Sequence, residues 1–386
     1  MTNGKAAMAR IVVAEIFEVE AAFAKPYGLS KNYGVMTTAR AVMLKLVDED
    51  GIVGWGEANS MQPFTPESPK EAAKVLRETL LPAVMRERNP EPGPVDLLLD
   101  GAVAHQLCAK GAVSMALLDI QGHRQGVSVA TLLGGALRRS LPVLWPLGTG
   151  TAEDDALVIE ERAPQGFETY MLKMGDAAVE REVARVAELA RRYGSRFNWI
   201  ADANQGWSMD EAARFLEHAT GQNLAFVEQP VAAANREGLA SLQASTSFPI
   251  SADESLLGLS EAAELARLGS ARIFSVKSSK NGGPLRAQRV AAVGEAFGID
   301  CYMNSMLEFG ITQAASLHHA ATVRNLVDVG HAYMSTLRLA EDPTDFESFV
   351  RQGRVELPTG PGLGIQVDEE HVRRLSVASH RVAASE

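Results

Sequence analysis

The sequence predicts an α/β fold: a β/α barrel preceded by a separate domain of mixed α and β structure. Three observations predict it. From about residue 140 onward, short apolar runs alternate with longer amphipathic patterns, the mark of parallel strands joined by helices. The unit repeats every 25 to 30 residues or so, which favours a closed barrel over an open sheet. The usual sign of an open doubly wound sheet, a GxGxxG turn after the first strand, is absent. A length of 386 residues suits two domains.

The elements follow in order. Residues 11–22 (IVVAEIFEVEAA) alternate as a strand does. Residues 24–34 (AKPYGLSKNYG) are rich in Gly, Pro, Tyr and Asn and predict a loop. A loop that long in a compact domain suggests a lid, with Tyr27 and Tyr33 over a ligand and Gly28 and Gly34 as hinges. The runs at 42–47 (VMLKLV) and 52–57 (IVGWGE), around Asp48-Glu49-Asp50-Gly51, predict a β-hairpin. Residues 68 to about 126 are patterned as helix, with 111–120 (GAVSMALLDI) as a buried stretch. Barrel strands are then expected at 142–147, 169–174, 197–202, 225–229, 249–253, 273–278 and 300–305. Helices are expected between them at 179–193, 209–218, 259–268 and 284–297.

Composition narrows the function. The formal net charge is -11, from 48 acidic and 37 basic residues, with no long Lys/Arg run, so nucleic acid is not the expected partner. Cys108 and Cys301 are the only cysteines and lie far apart. They make neither a disulfide framework nor a thiolate zinc site and suggest a reducing, cytoplasmic setting. The first residues lack the apolar core of a signal peptide, and no run reaches the roughly 18 apolar residues of a membrane span. A small-molecule ligand is the remaining expectation.

Strand after strand ends in a charge: Lys173, Asp202, Glu228, Asp253 or Glu254, Lys277, and Glu308 just beyond the last run. The steps between them run from 24 to 31 residues, each close to one strand–helix unit. They should therefore sit on neighbouring strands at the carboxyl rim, where barrel active sites gather. Any one such charge often marks only a return to solvent; six in succession make that account poor for the set. Three converging carboxylates repel unless a cation joins them. An all-oxygen set with room for water and substrate suits Mg²⁺, and Mn²⁺ would also fit. Asp253 and Glu254 compete for the third position, since neighbours on a strand point to opposite faces. Lys173 and Lys277 would flank the metal from opposite sides as general bases, with salt bridging to the carboxylates as the structural alternative. Lys280 is read as structural or rim-exposed.

These residues together resemble the enolase superfamily, in its mandelate racemase and muconate lactonizing branch. The stretches that carry the resemblance are GWGEA (54–58), TYMLKMG (169–175), ADANQGW (201–207), VEQP (227–230), SADES (251–255), VKSSKNGG (276–283), NSMLEFGI (304–311) and GPGLGIQVDE (360–369). The resemblance implies an α+β capping domain (1–135), a modified TIM (β/α) barrel (136–340) and a C-terminal segment (341–386) that returns to the cap. It implies Mg²⁺ on Asp202, Glu228 and Asp253, tipping the choice from Glu254. It implies Lys173 and Lys277 as acid/base partners with Glu308 near the substrate carboxylate or the second lysine. Tyr27, Asn204 and Asn304 are implied as substrate contacts, residues 62–67 as a neighbour of the lid, and a homo-oligomer as the assembly.

One departure stands out. The muconate lactonizing subgroup carries T-x-K-x-K on the strand of the first base, and this chain has Met171 where the first lysine stands. A more apolar pocket, or a substrate bringing its own cation, is then expected. His318 and His319 lie in an apolar helical run and are read as packed histidines, not bases. The expected activity is removal of the proton α to a carboxylate through an enediolate. Racemisation or epimerisation leads, cycloisomerisation is close behind, and dehydration shares the same intermediate. A metal-stabilised barrel that binds a carboxylate without turnover is the alternative of another class.

Overall fold

The structure is a computed structural model and describes residues 7–219 and 222–384. The N-terminal domain is built on an antiparallel sheet. Its strands are β1 (Ile11–Gly28), β2 (Val35–Asp48) and β3 (Val53–Ala58). The C-terminal strand Ser376–Ala383 lies outside β1, giving the order C-terminal strand, β1, β2, β3. The predicted hairpin is present, with Val47 opposite Val53. Alternation along the strands divides the sheet's faces. Ala14, Ile16, Val42, Leu44 and Leu46 turn to one core with the helices of the domain. Phe17, Val19, Ala41 and Met43 turn to the core shared with the barrel. The helix Leu107–Gln125, which holds the predicted buried stretch, lies directly on β3. A Cβ on Gly56 would stand 1.9 Å from the carbonyl oxygen of Ala112, so only glycine permits that approach.

The expected loop at 24–34 is only half a loop. Residues 24–28 belong to β1, with Tyr27 opposite Met36 and Gly28 opposite Val35 after an irregularity in the ladder. Phe23 and Tyr27 bury their rings, and that burial overrides the turn signals of Pro26 and Gly28. The loop shrinks to a tip at 29–34, where the N–H groups of Tyr33 and Gly34 donate to the Ser30 carbonyl.

Seven parallel strands follow in sequence order: β4 (Leu144–Leu147), β5 (Thr169–Lys173), β6 (Asn198–Asp202), β7 (Leu224–Glu228), β8 (Ile250–Ala252), β9 (Ile273–Val276) and β10 (Asp300–Met303). Each falls in a predicted run, save that β7 begins one residue early, at Leu224. The helices Val179–Tyr193, Met209–His218, Leu259–Leu268 and Pro284–Phe297 have the predicted bounds. The two edges of this curled sheet are joined by an irregular eighth stave. Leu326 bridges Cys301 and His331 bridges Val143, both in parallel sense. No described helix is long and apolar enough to cross a membrane.

Candidate active site

The strand ladders set the site. Lys173 pairs in register with Asp202, and Asp202 with Glu228, so the ends of β5, β6 and β7 stand level. Asp253 and Glu254 follow β8, and Lys277 follows β9. Lys173 and Lys277 both line one pocket under the tip of the β1–β2 hairpin, together with Tyr27, Asn204, Asn304 and Met171.

The charges inside are paired closely. The Lys173 ammonium donates to Asp202. Lys277 reaches Asp253 Oδ2 at 2.6 Å, and Lys280 lies 2.8 Å from Oδ1 of the same carboxylate. Burial lowers the pKa of Lys173, but Asp202, with Tyr27 and Glu228, outweighs it and leaves the ammonium above the ordinary lysine value. Burial and the Asp253, Glu228 and Glu254 carboxylates act on Lys277 in the same two opposed ways, with the same net rise. Burial also works against the charge of Asp253, yet Lys277 and Lys280 hold its carboxyl below the usual range. Glu228 is fully buried, and burial followed by the charges of Asp202 and Asp253 drives its pKa well up.

Glu228 Oε1 accepts from Asn304 at 2.6 Å and from the Ser275 hydroxyl at 2.9 Å, whereas Oε2 has no partner. An orphaned carboxylate oxygen between two further carboxylates suits a hard divalent cation. The fit lies in donor chemistry and position. Asp202 and Asp253 are turned to lysines, and no three His, Cys, Asp or Glu side chains among the described residues converge into a ready metal cage.

The other predicted residues are placed as follows. Asn304 is turned onto Glu228 and Ser275. Asn204 donates its backbone N–H to Asp202 Oδ1 at 2.9 Å, and its side-chain Oδ1 has no partner. Glu308 is buried but does not line the pocket; its Oε2 accepts from Ser305 and from the Met306 N–H within its own turn. Lys280 is fully buried, not at the rim, and donates to the carbonyls of Asp253 and Leu256. His318 takes the Ala130 N–H on Nδ1 and meets the Leu363 carbonyl through Nε2, which makes it a packed residue.

Two participants, Phe64 and Arg338, were not named by the sequence reading, and Tyr33, expected over a ligand, is engaged with the barrel rim. Phe64 stacks under the Lys277 ammonium, 4.1 Å from ring centre to Nζ. Arg338 lies on the Tyr27 ring. Tyr33 joins the hairpin tip to the barrel, donating to Glu254 at 3.0 Å while Gln205 donates to it at 2.7 Å. The first two stand outside the repeating strand-end pattern, and no local signal marks them.

Comparison with known proteins agrees with this architecture. Residues 11–134 match the mandelate racemase / muconate lactonizing enzyme N-terminal domain, and residues 155–371 match the enolase C-terminal domain-like family. Muconate cycloisomerase 1-1 of Acinetobacter lwoffii is 33% identical over 91% of this chain and 92% of its own. The structure of muconate lactonizing enzyme from Pseudomonas fluorescens complexed with muconolactone has a TM-score of 0.91 at 32% identity, over 95% of this chain and 99% of that one. N-succinyl Arg/Lys racemase from Bacillus cereus also has a TM-score of 0.91, at 25% identity, over 97% and 100%. The chain belongs to the mandelate racemase/muconate lactonizing enzyme family of the enolase superfamily and is an isomerase of that superfamily. Enzymes of this family are generally dependent on a divalent metal.

Proposed function

We propose that the protein works through the enediolate of a substrate carboxylate: either the α proton is removed and a proton is returned to the α carbon, or ring closure onto the β carbon of an α,β-unsaturated acid forms the enediolate, which then takes a proton at the α carbon. Racemisation, epimerisation or cycloisomerisation of the muconate lactonizing type is the outcome. The observation that carries this reading is the placement of Lys173 and Lys277 on one pocket, at either end of the row Asp202, Glu228, Asp253.

Asp202, Glu228 and Asp253 would hold the metal, Mg²⁺ by their chemistry, and that ion would draw off the negative charge that builds on the substrate carboxylate. Asn304 and Ser275 fix one oxygen of Glu228 and leave the other directed for ligation. Lys280 fixes the backbone from which Asp253 projects. Lys173 at one end takes or delivers a proton, and Lys277 does so at the other, its ammonium steadied on Phe64. The hairpin tip excludes water above them: Ser30 and Asn32 donate to the Asn204 carbonyl at 3.0 and 3.2 Å.

The test is proton exchange. Purified protein with MgCl₂ in D₂O is incubated with a panel of α-substituted and unsaturated carboxylic acids, and the α-proton signal is followed by NMR. Exchange with at least one acid is expected, with K173A and K277A each losing it. If no acid in a broad panel exchanges or converts, the reading fails.

A further inference from the structure

The strand ladder gives out beside one of the two lysines. On its β6 side Lys173 is still paired, opposite Asp202. On its β4 side the ladder stops one residue short, at Leu172 opposite Leu147. Arg185, from the helix Val179–Tyr193, carries the connection on. Its Nη1 donates to the Lys173 carbonyl at 2.8 Å and its Nη2 to the Gly148 carbonyl at 2.7 Å. The next two residues in register are thus joined through a guanidinium. Asp155, from the helix Ala152–Arg162, sets that guanidinium with two further bonds, 2.6 Å from Nε to Oδ2 and 2.7 Å from Nη2 to Oδ1.

Arg185 and Asp155 are both buried, and neither lines the pocket that Lys173 and Lys277 share. A buried ion pair adds little stability over apolar packing; what this one adds is geometry, because a planar fork held by a carboxylate presents its remaining donors in fixed directions. The turn beyond Lys173 is held from the same helix. Glu182 Oε1 accepts from the Gly175 N–H at 2.7 Å, and Oε2 from the Trp207 indole at 2.7 Å. Lys277 is supported by other means. Its N–H donates to Asn281 Oδ1 at 2.8 Å, and Asn281 donates in turn to the carbonyls of Leu256 and Leu257 past the end of β8.

We propose that Arg185 is a positioning residue for Lys173 and not for Lys277: it fixes the backbone from which one ammonium reaches the α-carbon and never touches the substrate. The proposal rests on the proton-transfer reading for the work that Lys173 does. Misplacing a reacting group by about 1 Å can cost about a hundredfold in rate. Loss of Arg185 therefore falls on one face of the reaction, whereas a general loosening of the barrel falls on both.

Proton exchange resolved by face tests it. The two enantiomers of an exchanging α-substituted acid are incubated separately, at saturation, with the full-length protein and MgCl₂ in D₂O, and deuterium wash-in is timed by NMR. The enantiomer on which K173A loses exchange is the one Lys173 serves, and K277A marks the other. R185M should slow the Lys173 enantiomer about tenfold to a hundredfold and leave the Lys277 enantiomer within about twofold of the wild type. R185K, which can still reach one carbonyl, should recover part of the loss. Equal slowing of both enantiomers in R185M overturns the proposal, as does no slowing of either. An acid that exchanges at only one enantiomer is read by the same rule: slowing is required if K173A stops that exchange, and its absence if only K277A does. Should R185M not fold, as judged by circular dichroism, because Asp155 is left unpaired, R185K decides: slowing confined to the Lys173 enantiomer supports the proposal, and rates equal to the wild type on both overturn it. A wild type that exchanges neither enantiomer of any acid in the panel sinks the proposed reaction, and the proposal with it; a wild type that exchanges, with R185M slowed alike on both faces, sinks the proposal alone.

Discussion

At the scale of single residues, the site is organised by buried charges that hold one another. Lys280 illustrates this, because it supports Asp253 through both the carboxylate and the backbone. K280M should cost about 3–5 kcal/mol of stability, the usual result of stripping a buried ion of its partner, measured by urea denaturation. Buried histidines give a second prediction. Burial holds His319 down to about 4, and neither ring nitrogen has a partner. An unfolded histidine titrates near 6.5, so the folded state is favoured by the neutral ring above that pH. The contribution is lost as pH falls from about 6.5 toward 4, at about 2 kcal/mol by pH 5. H319L should therefore show a smaller loss of stability between pH 7.5 and pH 5 than the wild type, checked by thermal melts across that range. The strand-end charges were legible in the sequence because their spacing repeats with the strand–helix unit. Arg338 and Phe64 were not, because each comes from a connecting segment whose path depends on tertiary contacts with β1 or the barrel rim.

At the scale of elements, the β1–β2 hairpin tip is the part that overhangs the pocket. It is latched by Tyr33 to Glu254 and Gln205, and by the Lys31 N–H to the Gly175 carbonyl at 3.3 Å. Gly175 has φ of 80°, and a Cβ there would stand 2.5 Å from the Ala203 carbonyl oxygen, so the crossing of tip and rim requires glycine. Y33F removes the hydroxyl and its two bonds while keeping the ring on Phe64. It should raise KM several-fold for the acid identified by proton exchange, with stability changed by only about 1 kcal/mol; steady-state kinetics and a melt check both parts. Seven strands and four helices were legible because their periodicity is strong. The eighth stave was not, since residues 325–332 bond to their neighbours without regular alternation. Nor was the extension of β1 past residue 22, where turn-forming residues are held extended by buried rings.

At the scale of the whole molecule, the barrel core is apolar and continuous through the strands and the cap face above them, so the fold should not depend on the ion. Chelation with EDTA should abolish α-proton exchange while the protein stays folded. Adding MgCl₂ back should raise stability, and Tm with it, with the logarithm of the excess over Kd, by about 2.7 kcal/mol at a hundredfold excess, and D202N should flatten that rise. Calorimetry of the chelated and reloaded protein would check it; a Tm indifferent to Mg²⁺ would argue against the carboxylate row as the binding place.

The pairing of β1 with the strand Ser376–Ala383 has a consequence for biosynthesis. The outer neighbour of the first strand is made only after every strand of the barrel. β1 and β2 can pair early, but the edge of β1 stays uncovered until that later strand is made. An uncovered edge is a template for foreign strands. The barrel, whose strands pair with their immediate successors, can close meanwhile. The nascent chain thus finishes its catalytic half before the half that covers it, and its need for chaperone protection is greatest in the interval between the two.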